Sequence, residues 1–262
     1  MLVIGELING MYGNVKKAIQ TKDKSIIQKL AKDQTAAGAD MLDVNVGPAS
    51  SDQKSAMKWL VGAIRETVDT PLAIDSTKAD VIEEGLKLAK EGSMINSTSA
   101  DDEKLAVYLP LAKKYNSKII ALTMDKTGIP RDRNKKAELA LKIISSCMEH
   151  EIDLEKVYID PIVLPVNVAQ DHAPELLEVI REFQVLSSPA PHTVVGLSNV
   201  SQGATERNLI NRTYLVMAMA NGLSAAIVDP LDKELMNAVA TAELLLNKNI
   251  YCDSYLEACK KK

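Results

Sequence analysis

The chain has 262 residues, with 31 Lys and Arg against 35 Asp and Glu for a net charge of −4, and is 46% hydrophobic and 25% charged. That composition excludes a disordered or collagen-like chain, and the length suits one domain spanning residues 1–262. No block of like charge is longer than the three-residue Lys260–Lys262 tail, so a nucleic-acid footprint is not expected.

Short aliphatic runs recur along the chain at Leu2–Ile4, Met41–Val44, Leu72–Ile74, Met94–Ile95, Ile119–Leu122, Val157–Ile159, Thr193–Leu197 and Ala225–Val228. Between them lie stretches with apolar residues at helical spacing, such as Ile26, Ile27, Leu30 and Ala31, then Met57, Leu60, Val61 and Ile64, then Val81, Ile82, Gly85, Leu86 and Ala89. Gly38, Gly92 and Gly222 each follow a periodic stretch where a helix would end, while Pro174 and Asp232 stand where helices would begin. The runs lack polar alternation, as strands buried on both faces do. Eight strand-helix units without a linker predict an α/β fold, a closed (β/α)8 barrel, with an open doubly wound sheet as the other topology of the same pattern.

Cys147, Cys252 and Cys259 form no C-x-x-C pair and read as reduced thiols without a zinc or iron-sulfur framework. The strongly apolar stretch Tyr214–Ala220 is too short to span a membrane, and no basic region precedes the strand-like start. The expected setting is cytoplasmic, with no membrane partner.

In a βα barrel the site lies at the C-terminal strand ends. The residues there are Glu6 and Asn9, Asp43 and Asn45, Asp75 and Ser76, Asn96 and Ser97, Thr123 to Asp125, Asp160, Ser198 and Asn199, and Asp229. A Schiff-base lysine is missing from this set, since Lys118 lies at the wrong end of its run and Lys126 in a loop. His150, His172 and His192 fall in helix-end or loop context and read as solvated surface, and no G-x-G-x-x-G or G-x-x-x-x-G-K cradle occurs. Taken singly, Asp43, Asp125 and Asp229 read best as helix caps. Together, Asp75, Asn96, Asp160 and Asn199 suit a heterocycle rich in N–H donors, because a carboxylate accepts two parallel bonds from an amino-amidine edge and an amide adds a donor and an acceptor. The same carboxylates also suit Mg²⁺.

The segments Ile4–Gly10, Leu42–Pro48, Ile74–Ser76 and Ile95–Ser97 resemble the pterin-binding family that includes dihydropteroate synthase and the methyltetrahydrofolate methyltransferases. Thr123–Pro130, Asp160–Pro165, Ala169–His172 and Gly196–Ser201 are similar to the methyltetrahydrofolate:corrinoid/iron-sulfur protein methyltransferases of the acetyl-CoA pathway of carbon fixation. The resemblance implies a homodimeric TIM barrel of the pterin-binding type. It moves the N5-methyl of methyltetrahydrofolate to the Co(I) corrinoid of a separate corrinoid/iron-sulfur protein, with no bound cofactor or metal of its own. It also implies that Asp75, Asn96 and Asp160 hold the pterin ring, that Gly196, Ser198 and Asn199 complete its site, and that Gln202 and Arg207 lie along the aminobenzoyl-glutamate tail. Asn199 is then the expected catalytic donor near N5, with Asp75 as the second catalytic candidate. No D-x-H-x-x-G corrinoid-ligating motif occurs, since Asp171 and His172 are adjacent. The alternatives are a pterin-condensing synthase and a non-catalytic pterin-binding subunit. The seventh run lacks the lysine that dihydropteroate synthases carry there, which counts against the first.

Overall fold

The computed structural model describes residues 1–259, so the Lys260–Lys262 tail lies outside the described residues, as does the side chain of Cys259. Eight strands alternate with helices: β1 (Leu2–Asn9), α1 (Gly13–Thr21), α2 (Lys24–Ala36), β2 (Met41–Asn45), α3 (Gln53–Arg65), β3 (Leu72–Asp75), α4 (Ala79–Leu86), β4 (Met94–Ser99), α5 (Asp102–Tyr115), β5 (Lys118–Leu122), α6 (Arg133–Glu149), β6 (Val157–Asp160), α7 (His172–Phe183), β7 (His192–Gly196), α8 (Arg207–Ala220), β8 (Ala225–Val228), α9 (Lys233–Leu245) and α10 (Tyr255–Cys259). The strands are parallel and pair in chain order, and β8 returns to β1 with Leu2 opposite Ala225, which closes a (β/α)8 TIM barrel. Among the described residues no helix is long and apolar enough to cross a membrane.

Successive strand side chains point to opposite faces, so each strand feeds both the barrel lumen and the outer layer under the helices. One set, Ile4, Met41, Ala73, Met94, Ile120, Tyr158, Val194 and Ala225, packs together in the lumen. The other, including Leu42, Val44, Leu72, Ile74, Ile95, Ile119 and Ile159, packs with the inward stripes of the helices. Two residues beyond the lumen set, on the same face, stand Glu6, Asp43, Asp75, Asn96, Leu122, Asp160, Gly196 and Ile227. The apolar layer is thus a packed floor, and the polar layer is the barrel mouth above it.

All eight aliphatic runs are strands, and the three glycines at φ +98° (Gly38), +78° (Gly92) and +102° (Gly222) follow helices in the left-handed conformation. Asp232 caps α9 by accepting from the Leu235 N–H at 3.1 Å, whereas α7 begins at His172, so Pro174 lies inside its first turn. The histidines depart from a solvated surface. His172 is 4% exposed beneath the loop after β6, and His192 opens β7 and stacks on Tyr158 with ring centroids 4.7 Å apart. His150 is half-buried at the end of α6, where its Nδ1 lies 2.9 Å from the Ser146 carbonyl oxygen. An imidazole buries readily when one nitrogen finds a carbonyl, a partner supplied by chain folding rather than by local sequence.

Candidate active site

Three neighbouring strands bring Asn45, Asp75 and Asn96 into lateral register across the mouth. The Asn45 Nδ2 donates to Asp75 Oδ2 at 2.5 Å, and the Asn96 Nδ2 donates to Asp43 Oδ1 at 2.9 Å. Asp43 is 3% exposed, so it is no helix cap: it faces the lumen two residues after Met41. Burial, reinforced by the Asp75 charge, pushes the Asp43 carboxyl well above the usual range. Burial also lifts Asp75 to about 6, against the opposing bond from Asn45. Two carboxyls in this water-poor layer hold a proton more readily than two in solvent.

Asp160 ends β6 and is buried, its carboxyl pushed up to about 7 by that burial. Its Oδ1 accepts the Ile162 N–H at 2.7 Å, while its Oδ2 has no protein partner among the described residues. Ile162 itself stands at φ +63°, where a β-branched residue is disfavoured by roughly 1–2 kcal/mol, so the surrounding contacts must hold the turn. One of them is unanticipated from sequence. The fully buried Lys136 of α6 donates from Nζ to the Pro161 carbonyl at 2.5 Å, with its amine pushed down to about 8 by burial.

After β7 the chain makes a short 3₁₀ turn, Leu197–Asn199, which carries Ser198 and Asn199. Ser198 Oγ lies 2.8 and 2.9 Å from the two carboxylate oxygens of Glu6, to which it donates. Burial raises the Glu6 carboxyl, and the Ser198 bond opposes that shift. The Asn199 amide makes no side-chain hydrogen bond among the described residues and folds back over Gly196, whose missing Cβ would lie 3.3 Å from Nδ2. Gly196 thereby keeps the space in which that amide can turn toward a ligand. Arg207 donates from Nε to Ser201 Oγ at 3.1 Å and from Nη2 to the Ser198 carbonyl at 3.2 Å, so it braces the β7 loop while remaining exposed. Gln202 is exposed on the same loop.

A cavity of about 470 Å³ opens beside this loop, lined by Glu6, Tyr12, Ser198, Arg207, Asn211 and Asp229 among others. It occupies the arc of β1, β7 and β8, whereas Asp75, Asn96 and Asp160 stand on β3, β4 and β6. The mouth therefore has two sectors, an amide-carboxylate sector and an open polar cavity, with the β7 loop between them. Asp125 and Asp229 are not helix caps either: each accepts a backbone N–H two residues on, from Thr127 and Leu231, in a loop turn, and the caps of the helices that follow are Asp132 and Asp232. Among the described residues no three His, Cys, Asp or Glu side chains are grouped to hold a metal ion.

Asp43 and Glu6 stand at the mouth more firmly than their place after an aliphatic run suggests. Their signal is parity, because each stands two residues beyond a lumen-facing aliphatic of its own strand. Lys136 also had a signal: it shares the apolar stripe of α6 with Leu139, Ala140 and Ile143.

Residues 13–229 match the pterin-binding enzyme family, to which this chain belongs. Within that family it is a methyltransferase: it is 32% identical over 267 residues to the methylcorrinoid:tetrahydrofolate methyltransferase of Eubacterium limosum, covering 100% of this chain and 97% of that protein. It is also 29% identical over 241 residues to the methionine synthase of Mycobacterium leprae, covering 87% of this chain and 20% of that longer protein. In fold it resembles a dihydropteroate synthase of Yersinia pestis solved with a sulfonamide drug, with a TM-score of 0.69 at 20% identity over 95% of this chain and 94% of that one.

Proposed function

We propose that the enzyme transfers a methyl group between N5 of a tetrahydrofolate and the cobalt of a corrinoid carried by a partner protein. Its forward direction runs from methyltetrahydrofolate to Co(I). The carrier is a corrinoid/iron-sulfur protein, and the setting is the cytoplasmic acetyl-CoA pathway. The observation that supports this reading best is the inward-facing set Asp75, Asn96 and Asp160 at the mouth of a chain alike end to end to a methylcorrinoid:tetrahydrofolate methyltransferase. Asp160, with Oδ2 unpartnered, receives the amino-amidine edge of the pterin, and Asp75 and Asn96 hold the ring beside it. Gly196, Ser198 and Asn199 close the ring site, and Gln202 and Arg207 border the path of the aminobenzoyl-glutamate tail.

In the transfer, the lone pair of Co(I) forms the bond to the methyl carbon while the C–N5 bond breaks and its electron pair stays on N5. A tertiary amine leaves poorly, so N5 needs a proton or a donor as that pair develops. The Asn199 amide supplies a hydrogen bond that strengthens as charge builds, and a proton arrives from water or from the raised Asp75 carboxyl. The reading includes no resident metal or cofactor, because the corrinoid stays on its carrier.

Single-turnover transfer to Co(I) at saturating methyltetrahydrofolate tests this assignment. Asn199→Ala is expected to bind substrate with a modest loss and to react about 10²–10³-fold more slowly, the usual worth of one preorganised donor. A wild-type rate at saturation would remove Asn199 from the leaving-group chemistry. The name of the Eubacterium limosum relative takes methylcorrinoid as donor, which favours the reverse flow as a second reading. One site serves both directions, and the equilibrium ratio measured with methylated and Co(I) carrier decides which of them the carrier drives.

A further inference from the structure

Lys136 lies where a lysine is not needed for packing. It shares the core-facing stripe of α6 with Leu139, Ala140 and Ile143, none of it is exposed, and an aliphatic side chain would fill the place without a charge to desolvate. Its Nζ instead reaches the Pro161 carbonyl, in the middle of the turn that ends in the left-handed Ile162. Three contacts hold that turn: the Ile162 N–H on Asp160 Oδ1, Lys136 on Pro161, and the His172 Nε2 at 3.4 Å from the Ile162 carbonyl oxygen. Only one of the three brings a buried positive charge, and it does so at Pro161, the residue next to Asp160.

We propose that Lys136 is a positioning residue for pterin binding: its buried ammonium fixes the Pro161 carbonyl and holds the Asp160 side chain in the ionised form, whose two acceptor oxygens can receive an amino-amidine edge. The inference rests on the assignment of Asp160 as the pterin anchor. A protonated Asp160 would turn an O–H toward a donor-rich edge and lose one acceptor. Burial works toward that outcome, and Lys136 is the charge that opposes it. The titratable groups around the turn are Lys136 from α6 and His172 from α7, with Arg131 and Asp171 acting in turn on His172. Burial and the Lys136 charge keep His172 below the usual histidine range, so it does not replace the lysine as counter-charge. Just after β5, the neutral Thr123 hydroxyl donates to the Asp160 backbone carbonyl only.

The test is anaerobic calorimetric titration of tetrahydrofolate into the wild type, Lys136→Gln, Lys136→Met and Asp160→Asn at a series of pH values. Wild-type affinity should rise with pH through a midpoint near the Asp160 value of about 7. Lys136→Gln keeps a donor for Pro161 but removes the charge, and should move that midpoint up by about one unit. Affinity would then fall about fivefold at pH 7 and less than twofold at pH 9, with the turnover rate at saturation unchanged. Lys136→Met should show the same midpoint with weaker binding throughout. An unmoved midpoint in Lys136→Gln, or an equal loss at every pH, would reduce Lys136 to a packing role and overturn the inference. Asp160→Asn should bind weakly with no midpoint. If it binds like wild type, the anchor assignment fails, independently of the lysine. Should neither lysine variant fold, the coupling is read from the other partner: the Lys136 ¹⁵Nζ resonance must titrate lower in Asp160→Asn than in wild type, and an unchanged titration overturns the inference.

Discussion

Asp43 and Asp75 put two carboxyls on adjacent strands over an apolar floor, each accepting one amide hydrogen bond. Both hold their protons to higher pH in the folded chain than an unfolded chain does, so between about pH 4 and 6 the native state binds more protons. Stability therefore falls as pH rises through that window. The shift of Asp75 alone, from 3.8 to about 6, removes on the order of 3 kcal/mol across it. Asp43→Asn keeps an acceptor for Asn96 while deleting one charge. It should flatten this slope and raise stability above pH 7 in urea denaturation, and a wild-type slope in that variant would place the titration elsewhere. The carboxyls are thus held at the mouth against the stability of the free protein, as expected of groups that serve a ligand.

Among the elements, the strands are legible because aliphatic runs mark them, yet five of them, β1, β2, β3, β4 and β6, extend beyond their runs at the mouth. β1 continues from Ile4 to Asn9 and β4 from Ile95 to Ser99. Their lumen-facing extensions, Glu6 and Asn96, are polar, and a hydrophobic pattern cannot distinguish a polar strand end from a loop. The mouth set of Asp75, Asn96 and Asp160 was legible for the complementary reason: the same positions follow their runs directly. Lys136 carries a signal in its place on the apolar stripe of α6, but its partner, the Pro161 carbonyl, comes only from the fold. The junction of β1 and β2 shows how tightly the ends are joined. The Gly10 N–H donates to the Asn45 carbonyl at 2.8 Å, and a Cβ on Gly10 would meet the Val46 carbonyl oxygen at 1.9 Å. Backbone cannot yield as a side-chain tip can, so Gly10→Ala should lower stability by about 1–3 kcal/mol and disturb the mouth around Asn45. Unchanged unfolding midpoints would mean that the loop moves away freely.

At the scale of the molecule, the outer face of α8 presents Leu209 and Met217, 51% and 46% exposed. We propose this face as the contact of the homodimer that the family resemblance implies. Sedimentation should give twice the chain mass, and Met217→Glu should shift it toward the monomer without altering tetrahydrofolate affinity. A wild-type chain that sediments as a monomer at all concentrations removes the dimer.

The apolar layer of Ile4, Met41, Ala73, Met94, Ile120, Tyr158, Val194 and Ala225 seals the barrel from below. A ligand then has one doorway, and a carrier large enough to present a corrinoid stands in that doorway whenever it is docked. On the proposed function, folate must enter before the carrier arrives and can leave only after it departs, so the two substrates queue rather than bind at random. Steady-state transfer should follow a compulsory order with folate first, and an excess of carrier should inhibit by occupying the empty barrel. Initial-rate patterns free of carrier inhibition, with folate exchanging from the ternary complex as fast as from the binary one, would require a second way in.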